Sequence, residues 1–528
     1  MNGSVIFRRL APLALAAFLH LVGCVKVGPD YVRPPVSLAD RWLEAGDRRL
    51  NTAPAEHRDW WKVFQDPVLD RLVEDAYTQN LTLQAAGVRV LEARAQLGVA
   101  TGALYPQTQQ AFGYLEKNRL SGRAPEAVHN PNLGYAVSEI GVRAAWELDF
   151  WGKYRRAVES ADASLLAAVS DYDAALVSLL GDVAASYIAI LTLEKRLAIA
   201  RQNVETQKGN LDLATARFQS GATSQRDVEQ ARTVLLNTQA AIPTLETQVR
   251  QAKHALSVLL GKPPETLGGL LKGSGEIPAP PPQVAVGIPA DLLRRRPDVR
   301  SAEFRAMAQC AGIGVAKADL LPAFSLSGAF GFQAGDVGNF KLADMFQWRA
   351  RTGSAGPSVT WNILNYGRLA NLVRVQDARF QELLLAYQHT VLQSQKEVED
   401  GLVAFLKSQE RAALLAEGVQ AAKRSLELAV LQYREGITDF TTVLTAQQAL
   451  LSEQDSLAVT LGDISRSLVG VYRALGGGWQ LREGRDFVSP SVKAEMARRT
   501  RWGRLLSPEA YPPAETEQPG PSVRPPDW

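Results

Sequence analysis

Two cysteines and five histidines are all that the 528-residue chain offers for thiol, imidazole or transition-metal chemistry. His20, His57, His129, His254 and His389 stand singly, without the close pairing that a zinc or iron site needs. Cys24 and Cys310 are too few for a disulfide framework, a Cys-rich zinc site or an iron–sulfur cluster. No Ser/His/Asp set and no paired carboxylates stand out. Gly476-Gly477-Gly478 ends a helix without the lysine and strand–turn–helix context of a phosphate loop. No metal, no cofactor and no enzymatic activity are therefore expected. The run Arg294-Arg295-Arg296 precedes Pro297 at a helix start and is expected to form ion pairs. With Lys+Arg 58 against Asp+Glu 55, there is no wider basic field to attract nucleic acid. Cys310 is expected to be an inert, packed thiol.

The one cysteine with a chemical address is Cys24. Arg8 and Arg9 precede an apolar stretch from Leu10 to Val22, shorter than the ~20 residues that span a bilayer. The tetrapeptide Leu21-Val22-Gly23-Cys24 resembles the lipobox of bacterial lipoproteins, which implies cleavage after residue 23 and a covalent lipid on Cys24. Val25 replaces the aspartate that retains such proteins in the inner membrane, so the resemblance implies the outer membrane of a Gram-negative cell. Acyl chains contribute about 0.8 kcal/mol per buried CH₂, enough for several chains to anchor the protein to outer-membrane lipid.

The rest of the chain is written twice, as its length beyond the ~250–300 residues of a single core suggests. Trp146-Glu-Leu-Asp-Phe-Trp-Gly152 matches Trp361-Asn-Ile-Leu-Asn-Tyr-Gly367 at an offset of 215, as do Gly221 with Gly436 and Gly261 with Gly476. Upstream, Leu104-Tyr105-Pro106 matches Leu320-Leu321-Pro322 at 216. The two copies, 67–261 and 289–476, each read as a helix, two strands, a very long helix and a returning helix. The strands are expected at 106–116, 133–150, 322–333 and 354–365. Ile140, Val142, Ala144, Trp146 and Leu148 alternate with Glu139, Gly141, Arg143 and Glu147; Phe324, Leu326, Phe330 and Phe332 alternate with Ser325, Ser327 and Gln333. Such two-faced strands fit a membrane barrel with a wet lumen, or equally a half-buried soluble sheet.

Proline-free runs follow Gly152 and Gly367. Leu193, Leu197, Ala200, Val204, Gln207, Leu211, Ala214 and Phe218 form a coiled-coil seam, as do the positions 215 later, and small residues beside it suit helices packed on two sides. Pro243 should bend the first returning helix. Four strands cannot close a membrane barrel, whose smallest examples have about eight, so membrane-spanning strands demand an oligomer.

Several stretches resemble the outer membrane factors, the TolC-type channels, and among them the NodT-type efflux lipoproteins. They are Cys24 to Pro35, Gly287 to Arg300 with its Arg-Arg-Arg-Pro-Asp core, Ile313 to Pro322, and the glycine turns Arg217 to Thr223 and Gln432 to Thr438. The resemblance implies a mainly α protomer contributing four strands to a twelve-stranded barrel in a homotrimer, and long helices to a periplasmic α-helical barrel. It implies an equatorial belt from 24–66, 262–288 and the start of 477–528, which then ends in a Pro-rich tail. It implies a periplasmic adaptor docking at tips marked by Gly221 and Gly436, and an RND-type inner-membrane pump. By counting from those glycines, Asp227 and Tyr433 match aperture residues of the family, whereas Thr442 and Thr445 stand where well-known members carry aspartates; Asp439 lies close by. Asp227 also suits the positive end of the returning helix. Around a threefold axis one aspartate becomes three, which attract cations. Export of drugs or other small toxic solutes is the function this implies. Type I protein secretion through the same channel is the alternative. A lipid-anchored coiled-coil scaffold without a pore is the alternative of another class, and it leaves the two-faced strands unexplained.

Overall fold

A computed structural model describes residues 25–53, 57–123, 134–264, 269, 271, 275–291, 295–336 and 341–507. The signal segment, Cys24, Arg294 and the tail beyond Ser507 lie outside the described residues. In chain order the main elements are β1 (Leu50–Asn51), α1 (Pro67–Gln79), α2 (Leu81–Gly102), β2 (Thr108–Arg119), β3 (Gly134–Leu148), α3 (Lys153–Gln219) and α4 (Gln225–Leu259). Then follow β4 (Val284–Ala285), α5 (Pro297–Ala318), β5 (Ala323–Gly335), β6 (Arg351–Thr360), α6 (Arg368–Arg434), α7 (Phe440–Ala474) and α8 (Pro490–Arg499).

The duplication is structural to the residue. α3 and α6 are both 67 residues long, α4 and α7 both 35, α2 and α5 both 22. At 1.5 Å per residue the two longest reach roughly 100 Å. Each ends in a Schellman turn: Gly221 (φ 76°) donates to the Phe218 carbonyl and Ala222 to Arg217, while Gly436 (φ 77°) donates to Tyr433 and Ile437 to Gln432. The left-handed backbone is cheap for glycine and satisfies carbonyls that a helix end leaves open. Two details depart from the periodicity. The first helix of copy one breaks at Asn80, whose side chain caps Leu83 N at 2.8 Å and donates to Leu259 O at 2.9 Å, tying the break to the end of α4. α4 runs through Pro243 as one helix.

The helices form a wall centred on α3. Near the sheet α3 packs on α2 and α5, and α5 on α6; farther away α3 packs on α4 and α7, and α7 on α6. Ala200, Val204, Gln207 and Ala214 of the expected seam are buried, as are Ala412, Leu426, Ala429 and Tyr433; Phe218 at its end is exposed. The 18-residue apolar window in α3 is mostly buried in this wall, as a core helix should be.

A belt wraps the middle of the wall. β1 pairs in parallel with β4, joining the N-terminal segment to the linker between copies, and Trp42 Nε1 donates to Gly287 O at 3.0 Å. Trp60 stacks on Tyr472 with centroids 5.5 Å apart. Residues 479–507 are folded, not a tail: Arg482 makes a two-pronged pair with the fully buried Asp173 at 2.5 and 3.0 Å, Phe487 meets Tyr172 edge-on, and Trp502 and Leu506 pack on the core. Burial alone would lower the Arg482 pKa, but the Asp173 carboxylate outweighs it and holds the guanidinium above its ordinary value. Met496 of α8 is buried, while Arg498, Arg499, Arg501 and Arg504 remain exposed. Arg296 pairs with Asp298 and Glu397 and donates to Ala474 O at 2.9 Å, closing the end of α7, the structural role expected of it. Cys310 is buried with its Sγ 3.6 Å from Pro29 O, and burial pushes its pKa up.

Candidate functional site

The four long strands make one antiparallel sheet in the order β2-β3-β5-β6, so the two copies join through β3 and β5. Their register gathers most of the large apolar side chains on one face: Ile140 opposite Phe332, Val142 opposite Phe330, Trp146 opposite Leu326, Leu148 opposite Phe324, and Phe324 opposite Val359. A soluble sheet would bury that face. Here Val142 is 56% exposed, Val359 63% and Leu115 70%. Apart from Trp348, whose ring meets Phe332 at one end, no described element covers it, which is the arrangement of strands meeting lipid.

The opposite face is polar and linked across strands. The Tyr114 phenol donates to the Glu139 carboxylate, which Gln333 also reaches at 3.5 Å, and Arg143 donates to Gln110 at 2.8 Å while lying over the Phe112 ring. At the helical end of the sheet, tryptophans of both copies repeat one contact: Trp146 Nε1 donates to Leu104 O at 3.1 Å and Trp361 Nε1 to Leu320 O at 3.0 Å. Trp151 Nε1 donates to Pro322 O at 2.8 Å. Aromatic rings with one polar atom suit a membrane–water boundary.

The described chain begins at this same boundary. Val27 N donates to Trp151 O at 3.1 Å, and buried Arg156 donates to Val27 O and Gly28 O and pairs with Asp30. Gly28 (φ 99°) lies so close to the α5 backbone that an added Cβ would meet Gly314 Cα at 2.4 Å. From there the segment descends the wall: Arg33 forks onto Glu303, Ala39 N donates to Gln395, and Leu43 N to Glu399. Val25, the residue after Cys24, therefore sits at the base of the sheet.

At the far end of the wall are the tips. Asp227 and Tyr433 are brought together, with the phenol donating to Asp227 Oδ2 at 3.4 Å. The carboxylate also accepts from Thr223 at 2.5 Å and from Ser224 at 3.5 Å. Asp227 is only 3% exposed, in the first turn of α4, so in the protomer it is a buried acceptor joining two copies and not an open pore charge. Burial first, and the Asp227 charge after it, push the Tyr433 pKa above its ordinary value. Asp439 is exposed and caps α7, its carboxylate accepting from Thr442 N and Oγ1, both at 3.3 Å. Thr442 and Thr445 are exposed; Thr445 Oγ1 donates back to Thr441 O at 2.9 Å.

One tip residue escaped the sequence reasoning. Arg217 Nη1 donates to Arg434 O at 2.6 Å, and its guanidinium lies 4.9 Å from the Tyr433 ring centroid. The available signal was an asymmetry, since the second copy has Gln432 at the equivalent position. Among the described residues no group of acids, histidines or cysteines is placed to hold a metal ion.

With this geometry in hand, comparison with known proteins is specific. A family model described as "Outer membrane efflux protein" matches residues 72–262 and 288–477, two segments separated as the copies are. Nodulation protein T of Rhizobium leguminosarum bv. trifolii is 31% identical over 462 residues, covering 87% of this chain and 96% of that protein. The pyoverdine export outer membrane protein OpmQ of Pseudomonas putida is 32% identical over 481 residues, covering 89% and 97%. Among solved structures, the outer-membrane channel OprN superposes with a TM-score of 0.81 at 33% identity, covering 86% of this chain and all of that one. The Campylobacter jejuni channel CmeC shares the fold with a TM-score of 0.76 at 22% identity. The chain belongs to the outer membrane efflux protein family and is an outer-membrane channel of TolC-like fold reaching into the periplasm.

Proposed function

We propose that three copies close head to tail into a passive exit duct for drugs or other small toxic solutes. A periplasmic adaptor and an RND-type inner-membrane pump would supply docking and energy. The observation that carries this reading is the exposed apolar face of a four-stranded sheet with open edges on both sides, β2 and β6. Four strands leave edge groups unpaired that a bilayer does not satisfy, and three copies supply the twelve strands of a closed barrel. The helices support the same closure. Leu385, Leu392 and Val403 are exposed on α6, while their equivalents 215 residues earlier, Ser170, Val177 and Ile188, are buried inside the chain.

In this reading Cys24 carries the lipid. Residues 25–28 are held at the base of the sheet, where a lipid anchor and a barrel would enter the same membrane. Gly221 and Gly436 form the outermost turns for adaptor docking. Tyr433, Asp227 and Arg217 hold the two tip hairpins of a protomer together when the duct is closed, with Asp439, Thr442 and Thr445 beside them at the aperture. Expression in a strain lacking its own efflux channel, with the matching pump and adaptor, tests the function: restored drug resistance supports it. Normal amounts of outer-membrane protein without any resistance would oppose it.

A further inference from the structure

One cleft in the helical wall belongs neither to the sheet nor to the tips. All its walls come from a single chain: Ala200 and Gln207 of α3, Thr238 and Leu245 of α4, and Leu451 and Asp455 of α7. It holds about 560 Å³, within the ~300–1,000 Å³ of small-molecule sites.

The lining is polar but carries no net charge. At the end nearer the sheet, Arg196 and Asp455 neutralise each other through a two-pronged pair at 2.7 and 3.0 Å. The other lining residues are aliphatic, hydroxyl-bearing or carboxamide side chains. An ion entering would lose its hydration without meeting an unpaired opposite charge.

At the end nearer the tips, one acceptor is left open. Gln207 is 3% exposed, and its Oε1, shielded from solvent, accepts no bond from any described residue. Native structures seldom carry a buried acceptor without a donor, because nothing repays its lost hydration. The wall can satisfy an amide at this level: Asn203, one turn away on α3, donates to Gln454 Oε1 and to Ile199 O, both at 2.9 Å. Thr238, 5% exposed, brings a hydroxyl from the α4 wall.

The duplication supplies an internal comparison. Moving forward by 215 replaces Ala200 by Leu415 and Gln207 by Ala422. Copy two therefore has bulk where copy one has room, and a methyl group where copy one has the open acceptor. Where α4 carries the exposed Pro243, which removes a backbone donor from the helix, α7 carries the buried Ala458. Room, neutrality and an unpaired acceptor thus coincide in copy one.

We propose that this cleft binds an uncharged small solute bearing N–H or O–H donors. Gln207 Oε1 accepts from the solute, Thr238 offers a second polar contact, and Ala200 and Leu245 form the apolar floor. The site goes beyond the exit-duct reading, since it lies within one chain and needs neither pump nor adaptor.

Benzamide and benzoate, alike in size and shape, test it by ligand-observed NMR titration of the purified full-length trimer in detergent. Benzamide should bind saturably, once per chain, and Gln207→Leu should weaken it roughly tenfold, the worth of one hydrogen bond in a shielded site. Benzoate has no donor. It should bind at least tenfold more weakly than benzamide to the wild type and lose that disadvantage in Gln207→Leu. The melting temperature of Gln207→Leu should not fall, because the variant removes an unpaired group. Thr238→Val should also weaken benzamide, and it carries the test if Gln207→Leu fails to fold. Benzamide binding that does not saturate would leave the cleft to ordered water only and overturn the site. Equal binding by the wild type and both variants would overturn it as well. So would a lowered melting temperature in Gln207→Leu with benzamide affinity unchanged, which would make Gln207 a structural residue.

Discussion

Removing Arg217 should loosen the tips more than removing the Asp227 charge, although Asp227 is one of the two residues that family resemblance matches to the aperture. The ranking follows from which contacts cross between the two copies. Asp227 takes its short bond, 2.5 Å, from Thr223 on its own hairpin, and that bond survives when the hairpins separate. Among the described residues its side chain meets the other copy through the 3.4 Å bond from Tyr433, at the weak end of hydrogen bonding and worth about 1 kcal/mol. Arg217 crosses twice, through the 2.6 Å bond to Arg434 O and its stacking over Tyr433. A charged donor contributes about 1.5–2 kcal/mol at a partly exposed site and the cation–π contact about 0.5–1 kcal/mol. Arg217→Ala should therefore shift the equilibrium toward separated hairpins by roughly 2–3 kcal/mol per protomer, a factor of ~30 to ~150, against ~5 for Asp227→Asn. The assay is open probability and conductance of purified trimers in planar bilayers, with entry of a large antibiotic into cells as the companion. If Asp227→Asn opens the channel as much as Arg217→Ala, with both proteins folded, the assignment of the lock to Arg217 is wrong.

Other outcomes follow from the same geometry. Cys24→Ala should abolish incorporation of labelled fatty acid while the barrel still inserts; unchanged labelling would remove the lipid assignment. Thr442→Asp with Thr445→Asp should strengthen cation preference and divalent-ion block in planar bilayers, and no change in either would displace these positions from the aperture. Arg482→Met strands the buried Asp173 carboxylate and should destabilise the protomer by about 3–5 kcal/mol, read as a lowered melting temperature in detergent, with Asp173→Leu added in the same chain recovering part of it. The Tyr433 phenol has a raised pKa in the folded tip, so its contribution is fully present below its ordinary value near ~10 and fades as pH rises through the raised one. Conductance should thus climb in strongly alkaline buffer in the wild type and lose that dependence in Tyr433→Phe.

The duplication was legible because helix lengths, glycine stops and tryptophan contacts repeat at a constant offset, and each is a local feature that survives in sequence. The two-faced strands were legible for the same reason. Their environment was not: alternation is identical for lipid and for a soluble core, and only the bare face of Val142, Phe330 and Val359 decides it. The break at Asn80 was hidden because one amide caps one helix and grips the end of another 179 residues away. The Arg217 contacts join residues 217 positions apart, beyond the reach of any local pattern. How far the folded belt extends into 479–507 was hidden because α8 is short and basic, while its attachment depends on Asp173, buried in copy one. The fourth strand ended early because the chain turns there, Ile363 N donating to Trp361 O, two residues before the matching turn from Phe150 N to Leu148 O in copy one.

The central claim is that this chain is one third of a continuous duct. Single-channel recording from purified, mass-verified trimers in planar lipid bilayers tests it most directly. Discrete, uniform conductance steps should appear only with the trimer and grow when Arg217 is replaced by alanine. Folded trimers that insert into the bilayer and pass no current, with Arg217 intact or replaced, would contradict it.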